Sequence, residues 1–211
     1  MERIFFDVDT QKDFIHKDGA SPVPHAEALI PNLKRLTDYA VKNDITIIGS
    51  VDRHFRSDPE LIINGGQFPE HCMDGTIGQK KIPETTTKDI VFIKNKEYDK
   101  EYLNTIKRHK QIIFEKQAYN VESNRNFFKL MGLMQSKTAF VYGVATDYCV
   151  KSAALCLKKL GLEVYLIEDA IEAVNIKPDD GNRALEIMVN ADIKMTTAKD
   201  VLEEVGDETR L

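Results

Sequence analysis

Short apolar runs alternate with amphipathic stretches along most of this chain. Runs rich in β-branched and aromatic residues fall at 4–8, 45–51, 90–93, 111–114, 139–142 and 164–167, with a weaker one at 193–196, and each has the length of a strand. Between the first two, Leu29, Ile30, Leu33, Leu36 and Ala40 repeat at helical spacing behind Ser21-Pro22-Val23-Pro24. Val150, Ala153, Ala154, Leu157 and Leu160 form a second apolar stripe, and further helices are predicted at 99–108, 126–134, 181–189 and 198–205. Strands that are apolar throughout, alternating with helices, predict a mainly parallel sheet covered on both faces, a three-layer α/β/α doubly wound architecture. The segment 53–87 breaks the rhythm, being rich in Gly, Pro and Asp and poor in periodicity. Loops of that length in compact domains are functional or disordered.

Composition narrows the class. A chain of 211 residues that is 42% hydrophobic can fill one core, so residues 1–211 are expected to form a single domain carrying the irregular loop at 53–87. A net charge of −5 argues against a polyanion partner, and the densest basic run, Lys107-Arg108-His109-Lys110, reads as a solvated helix end, so no nucleic acid is expected. The chain enters its first strand without an apolar leader and contains no run of membrane-spanning length, so neither a signal peptide nor a membrane partner is expected. Three cysteines without paired spacing fit a reducing compartment, and the expected location is cytoplasmic.

The chemistry gathers at predicted strand ends, where ligands bind in open α/β sheets. Cys149 sits where the strand at 138–142 gives way to a helix, and a first helical turn would favour its thiolate and supply oxyanion donors. Cys156, in Ala-Ala-Leu-Cys-Leu, reads as core packing. Asp9, Asp52 and Lys116 end other strands, with Asp13 an alternative to Asp9 as a capping or loop carboxylate. Carboxylate, ammonium and thiol at one edge supply a proton acceptor, a cation for a thiolate and a nucleophile, the set that covalent acyl transfer needs. Asp52 and His54, with Glu60, His71 and Cys72 in the irregular stretch, suggest a second site suited to a divalent first-row ion.

These same residues carry a resemblance. Val8-Asp9-Thr10-Gln11-Lys12-Asp13-Phe14, Asp52-Arg53-His54, Phe68-Pro69-Glu70-His71-Cys72-Met73-Asp74-Gly75-Thr76-Ile77-Gly78 and Gly143-Val144-Ala145-Thr146-Asp147-Tyr148-Cys149-Val150 resemble, in order, the motifs of the nicotinamidases within the isochorismatase-like cysteine hydrolase superfamily. The resemblance implies a triad of Asp9, Lys116 and Cys149, with Lys116 favoured over Lys94 and Lys96 because Ala118-Tyr119 follows it. It implies a non-proline cis peptide between Val144 and Ala145, and an oxyanion hole from the N–H groups of Ala145 and Cys149. It also implies one divalent metal ion, zinc before manganese or iron, on Asp52, His54, Glu60 and His71, and a substrate ring held by Phe14, Phe68 and Tyr119. The implied reaction is hydrolysis of nicotinamide to nicotinate and ammonia in NAD salvage, with pyrazinamide a second candidate substrate and a homo-oligomer left open. The alternatives are an amidase of the superfamily acting on a carbamoyl or ureido compound, and a non-catalytic metal- or ligand-binding protein on the same scaffold.

Overall fold

The computed structural model describes residues 3–208. Seven strands, β1 (Arg3–Val8), β2 (Ile47–Asp52), β3 (Ile90–Ile93), β4 (Gln111–Lys116), β5 (Thr138–Val144), β6 (Glu163–Glu172) and β7 (Lys194–Thr196), pair in the order β3-β4-β2-β1-β5-β6-β7. Every pair is parallel. Among the described residues seven α-helices accompany them: α1 (Lys12–Ile15), α2 (Ile30–Lys42), α3 (Lys100–Ile106), α4 (Phe127–Met134), α5 (Lys151–Lys159), α6 (Asp180–Asn190) and α7 (Ala198–Glu208). No helix among the described residues is long and apolar enough to cross a membrane.

Burial on both sheet faces explains why the central strands read as unbroken apolar runs. All six residues of β2 and all six of β4 are buried. Successive residues of β1 serve opposite faces. Phe5 packs edge-on to Phe140 at 5.7 Å and Tyr142 at 6.2 Å in the core shared with Leu33 and Leu36 of α2 and Val201 of α7. Phe6 points into the core shared with α3, α4 and α5 and meets Phe127 at 6.4 Å. This period of two on a sheet covered twice yields the expected three layers.

Several element boundaries depart from the sequence pattern, two of them with a clear cause. β6 runs on past 167 to Glu172, because its second half pairs with β5 beyond a register shift between Val141 and Gly143. Gly143 has φ of +116°, and a Cβ there would lie 2.0 Å from the Val8 carbonyl oxygen. Only glycine lets β5 end this close to β1. The other departure is at Leu160, which caps α5 and is 37% exposed rather than completing the buried stripe.

The irregular segment is ordered by side chains from the turn after β1. Gln11 donates to the carbonyls of Asp52 (2.8 Å) and Gln79 (2.7 Å) and accepts the Asp52 N–H at 2.6 Å. Asp13 accepts the N–H of Cys72 at 2.7 Å and of Ala20 at 3.0 Å. Where the segment returns, buried Lys81 bonds Asp7 Oδ2 (2.8 Å) and Thr10 (2.6 Å), and Thr10 in turn bonds Asp7 Oδ1 at 2.8 Å.

Truncating that cation should be costly. Lys81→Met leaves the fully buried Asp7 carboxylate without its partner, and a loss of about 3–5 kcal/mol is expected in urea unfolding. Combining it with Asp7→Asn should recover part of the loss, since no uncompensated charge then remains; equal stability of the two variants would contradict the ion-pair account.

Candidate active site

Strand order does the first part of the assembly. β4 pairs with β2 so that Lys116 stands opposite Asp52, β2 lies beside β1, and β1 beside β5. The chain leaves β1 toward one edge of the sheet and β5 toward the other, which opens a crevice beyond their carboxyl ends. Lys116, Asp52, Asp9 and Cys149 end or follow four neighbouring strands and meet there. The Lys116 ammonium is fully buried, 2.5 Å from Asp52 Oδ1, 2.9 Å from Asp9 Oδ2 and 3.6 Å from Cys149 Sγ. Ser50 donates to Asp9 Oδ1 at 2.7 Å, leaving Oδ2 to Lys116 and the carboxylate in contact with the thiol. Asp13, the alternative carboxylate, is committed to backbone N–H groups. Lys94 is exposed and Lys96 lies over the Tyr98 ring at 5.2 Å.

The turn bearing Cys149 is wider than the expected first α-turn. Residues Thr146–Val150 wind as a π turn, and α5 begins only at Lys151. The Ala145 carbonyl accepts the N–H groups of Tyr148 (3.0 Å) and Val150 (3.1 Å) and passes over that of Cys149. The Val144–Ala145 peptide is cis, and both residues line the same cavity as Cys149.

Burial works against one expectation. Burial pushes the Cys149 thiol well above its ordinary pKa; Lys116 pulls it down, but Asp9 and Asp52 push it up again. Burial thus works against the thiolate that a first helical turn would favour. Burial also raises Asp9 above the usual carboxylate range, against the pull of Lys116. For Asp52 burial is opposed by Lys116 and by the neighbouring His54 and His71 rings, which hold it far below that range. Burial disfavours the Lys116 ammonium, yet Asp52 and Asp9 keep it charged. Cys156 is core packing, with its thiol pushed up to about 12 by burial and the nearby Glu122.

Asp52 also faces a second group. Its Oδ2 is 3.7 Å from the Nε2 atoms of both His54 and His71, and ligand atoms of the three residues lie within 4.8 Å of one another. Asp58 Oδ2 lies 3.0 Å from His54 Nδ1, and the Pro69 carbonyl 2.7 Å from His71 Nδ1, so both rings turn Nε2 toward Asp52. His54 Nε2 is buried without a hydrogen-bond partner. A buried polar atom left open among a carboxylate and a second imidazole is what a divalent cation requires, so the donors fit such an ion. Glu60 stands further out, with Oε2 3.7 Å from His54 Nε2 and Oε1 accepting the Tyr119 N–H at 2.9 Å.

A cavity of about 230 Å³ joins the two groups, lined by Asp52, Glu60 and His71 at one side and by Ala145 and Cys149 at another. Phe14, Phe68 and Tyr119 lie around it, with Phe14 5.3 Å from His71 and Phe68 5.5 Å from Tyr148. Of the expected site residues, Phe14, Asp52, Glu60, Phe68, His71, Tyr119, Val144, Ala145 and Cys149 line this cavity, and Asp9, His54 and Lys116 lie buried against Asp52 or Cys149, whereas Cys72 falls outside the histidine group. Asp58, Ser50 and Tyr148 were not singled out. Asp58 carries a signal, an aspartate four residues after a histidine in a loop, whereas Ser50 and Tyr148 act through contacts that no local pattern announces.

Comparison with known proteins places the chain in a family. The isochorismatase domain profile matches residues 4–200. The chain is similar to a nicotinamidase of Escherichia coli (strain K12), at 25% identity over 217 residues that cover 94% of this chain and 96% of that one. A nicotinamidase of Saccharomyces cerevisiae is 24% identical over 208 residues, covering 85% and 92%. The crystal structure of a pyrazinamidase of Pyrococcus horikoshii in complex with zinc superimposes with a TM-score of 0.77 at 27% identity, over 93% of this chain and 99% of that one.

The charge cluster predicts a pH effect. Lys116 is the nearby group that lowers the Cys149 thiol, so Lys116→Ala should shift the alkylation of Cys149 by iodoacetamide to higher pH. Lys94→Ala should leave the profile unchanged; exchanged outcomes would show that another ammonium serves the thiol.

Proposed function

The chain belongs to the isochorismatase domain family, and on that premise we propose that it is an amidohydrolase converting nicotinamide to nicotinate and ammonia through a thioester on Cys149, in NAD salvage. The observation that carries this reading is Asp52, whose one oxygen meets Lys116 of the thiol cluster and whose other meets the histidine pair, with a single ring-lined cavity over both. An amidase needs the first group, and a pyridine ring gives a use to the second.

Asp52, His54 and His71 would hold a divalent ion, zinc first, with Glu60 reaching it directly or through water. When bound, such an ion offers an open position to the pyridine nitrogen and so anchors the ring. Phe14, Phe68 and Tyr119 flank that ring. The carboxamide then lies over Cys149. Asp9 takes the thiol proton while Lys116 stabilises the sulfur's charge, and the sulfur bonds to the carboxamide carbon. The N–H groups of Ala145 and Cys149 receive the oxyanion, each donor contributing about 100-fold or more to the rate. Asp9 returns its proton to the nitrogen, the C–N bond breaks and ammonia leaves. Water, deprotonated by Asp9, cleaves the thioester to nicotinate and restores the thiol.

Ammonia release from nicotinamide, measured with and without a chelator, tests the reading directly. Turnover should collapse in Cys149→Ala, and stripping the metal should cripple it while Cys149 still reacts with iodoacetamide. Benzamide, which lacks the ring nitrogen, should be a very poor substrate; benzamide turnover equal to that of nicotinamide, or full activity in metal-free protein, would favour an amidase for other compounds. Independently, Asp58→Asn should weaken zinc binding about 10–100-fold in a competition titration, since it releases the orientation of His54.

A further inference from the structure

Asp147 stands two residues before the nucleophile yet takes no part in the charge cluster around Lys116. Its carboxylate is buried, 6% exposed, and each oxygen accepts one backbone N–H: Oδ1 from Val174 at 3.0 Å, Oδ2 from Asn175 at 2.9 Å. These donors belong to the short stretch between β6 and α6, which turns through Asn175 at φ of +54°. Asn175 Oδ1 accepts the Gly181 N–H at 2.8 Å, tying the stretch to the start of α6. A Cβ on Gly181 would lie 2.8 Å from the Ala173 side chain, so the turn sits tightly on that helix.

Val174 and Ile176, on either side of Asn175, line the cavity together with Cys149 and Ala145. Ile176 is 60% exposed and contributes little packing of its own. Val174 packs partly against the core shared with α2, and the rest of this apolar wall is held by hydrogen bonds; the paired bonds to Asp147 are charge-assisted and link it straight to the nucleophile turn. We propose that Asp147 is a positioning residue for substrate recognition: it fixes the Val174–Ile176 wall relative to Cys149, and that wall selects carboxamides carrying a flat ring. The proposal rests on the reading of the cavity as a nicotinamide site.

Asp147→Asn keeps the side-chain size but turns an amide donor toward one of the two N–H groups. In the metal-loaded protein it should raise KM for nicotinamide about tenfold while kcat changes far less, the pattern of lost binding rather than lost chemistry. Val174→Ala with Ile176→Ala should raise KM similarly, and adding Asp147→Asn to that pair should add little, since both act through one wall. Labelling of Cys149 supplies a readout that needs no turnover. Iodoacetamide should react equally with wild type and Asp147→Asn, whereas N-phenyl iodoacetamide should lose its advantage in Asp147→Asn and in the Val174/Ile176 variant alike. A wild type inert toward nicotinamide would defeat the nicotinamide reading and leave the labelling ratio to judge the wall. A fall in kcat at unchanged KM, equal slowing by both reagents, or an unchanged labelling ratio in the Val174/Ile176 variant would overturn the proposal.

Discussion

A single buried ammonium holds the site together. Lys116 has no exposure to water and is ringed by Asp9, Asp52 and the Cys149 sulfur. In such surroundings charges interact far more strongly than at a surface, and any one left unpaired is costly. With both carboxylates ionised and the thiol neutral the cluster carries one excess negative charge. Asp52 shares in that charge, and its second oxygen faces His54 and His71. A divalent cation on those donors would balance it, so the thiol cluster and the histidine pair are coupled through one carboxylate.

The sheet delivers this cluster, and the turn after β1 holds it. Four adjacent parallel strands, β4-β2-β1-β5, end at the same level and supply Lys116, Asp52, Asp9 and Cys149. Glycine at 143 removes the side chain that would keep β5 away from Val8. Residues 9–13 then serve three purposes in five positions: Asp9 meets the thiol, Gln11 pins the backbone of Asp52 from both sides, and Asp13 pins Cys72 beside His71. A change in that turn would disturb the metal donors and the thiol together.

The layers and nearly all the elements were legible in the sequence because strands buried on both faces leave continuous apolar runs, and helices with one buried face leave periodic ones. Strand order was not, since parallel pairing joins residues far apart and leaves no local mark. The extension of β6 was hidden because Glu168 and Asp169 interrupt its apolar pattern. Among site residues, Asp9, Asp52, His54, His71, Lys116 and Cys149 could be picked out as reactive types at strand ends or in one odd loop. Ser50 could not, for its hydroxyl matters only through Asp9 on the neighbouring strand. The burial around the thiol was hidden for a similar reason: position along a helix is visible in sequence, but the depth of burial that opposes it is a tertiary property.

That raised thiol bears on how the proposed chemistry would run. A thiol held above its usual pKa is seldom ionised at rest, yet the thiolate it yields is intrinsically the stronger nucleophile, because nucleophilicity falls as pKa falls. The scarcity of thiolate is then met by a base in contact with the sulfur, and Asp9, itself raised by burial, is suited to hold the proton until ammonia departs. A carboxyl of ordinary pKa in water would release that proton at once and make a poor acid. Burial, which looks adverse for each group alone, thus raises the carboxyl as well as the thiol and suits one carboxylate to act first as base and then as acid.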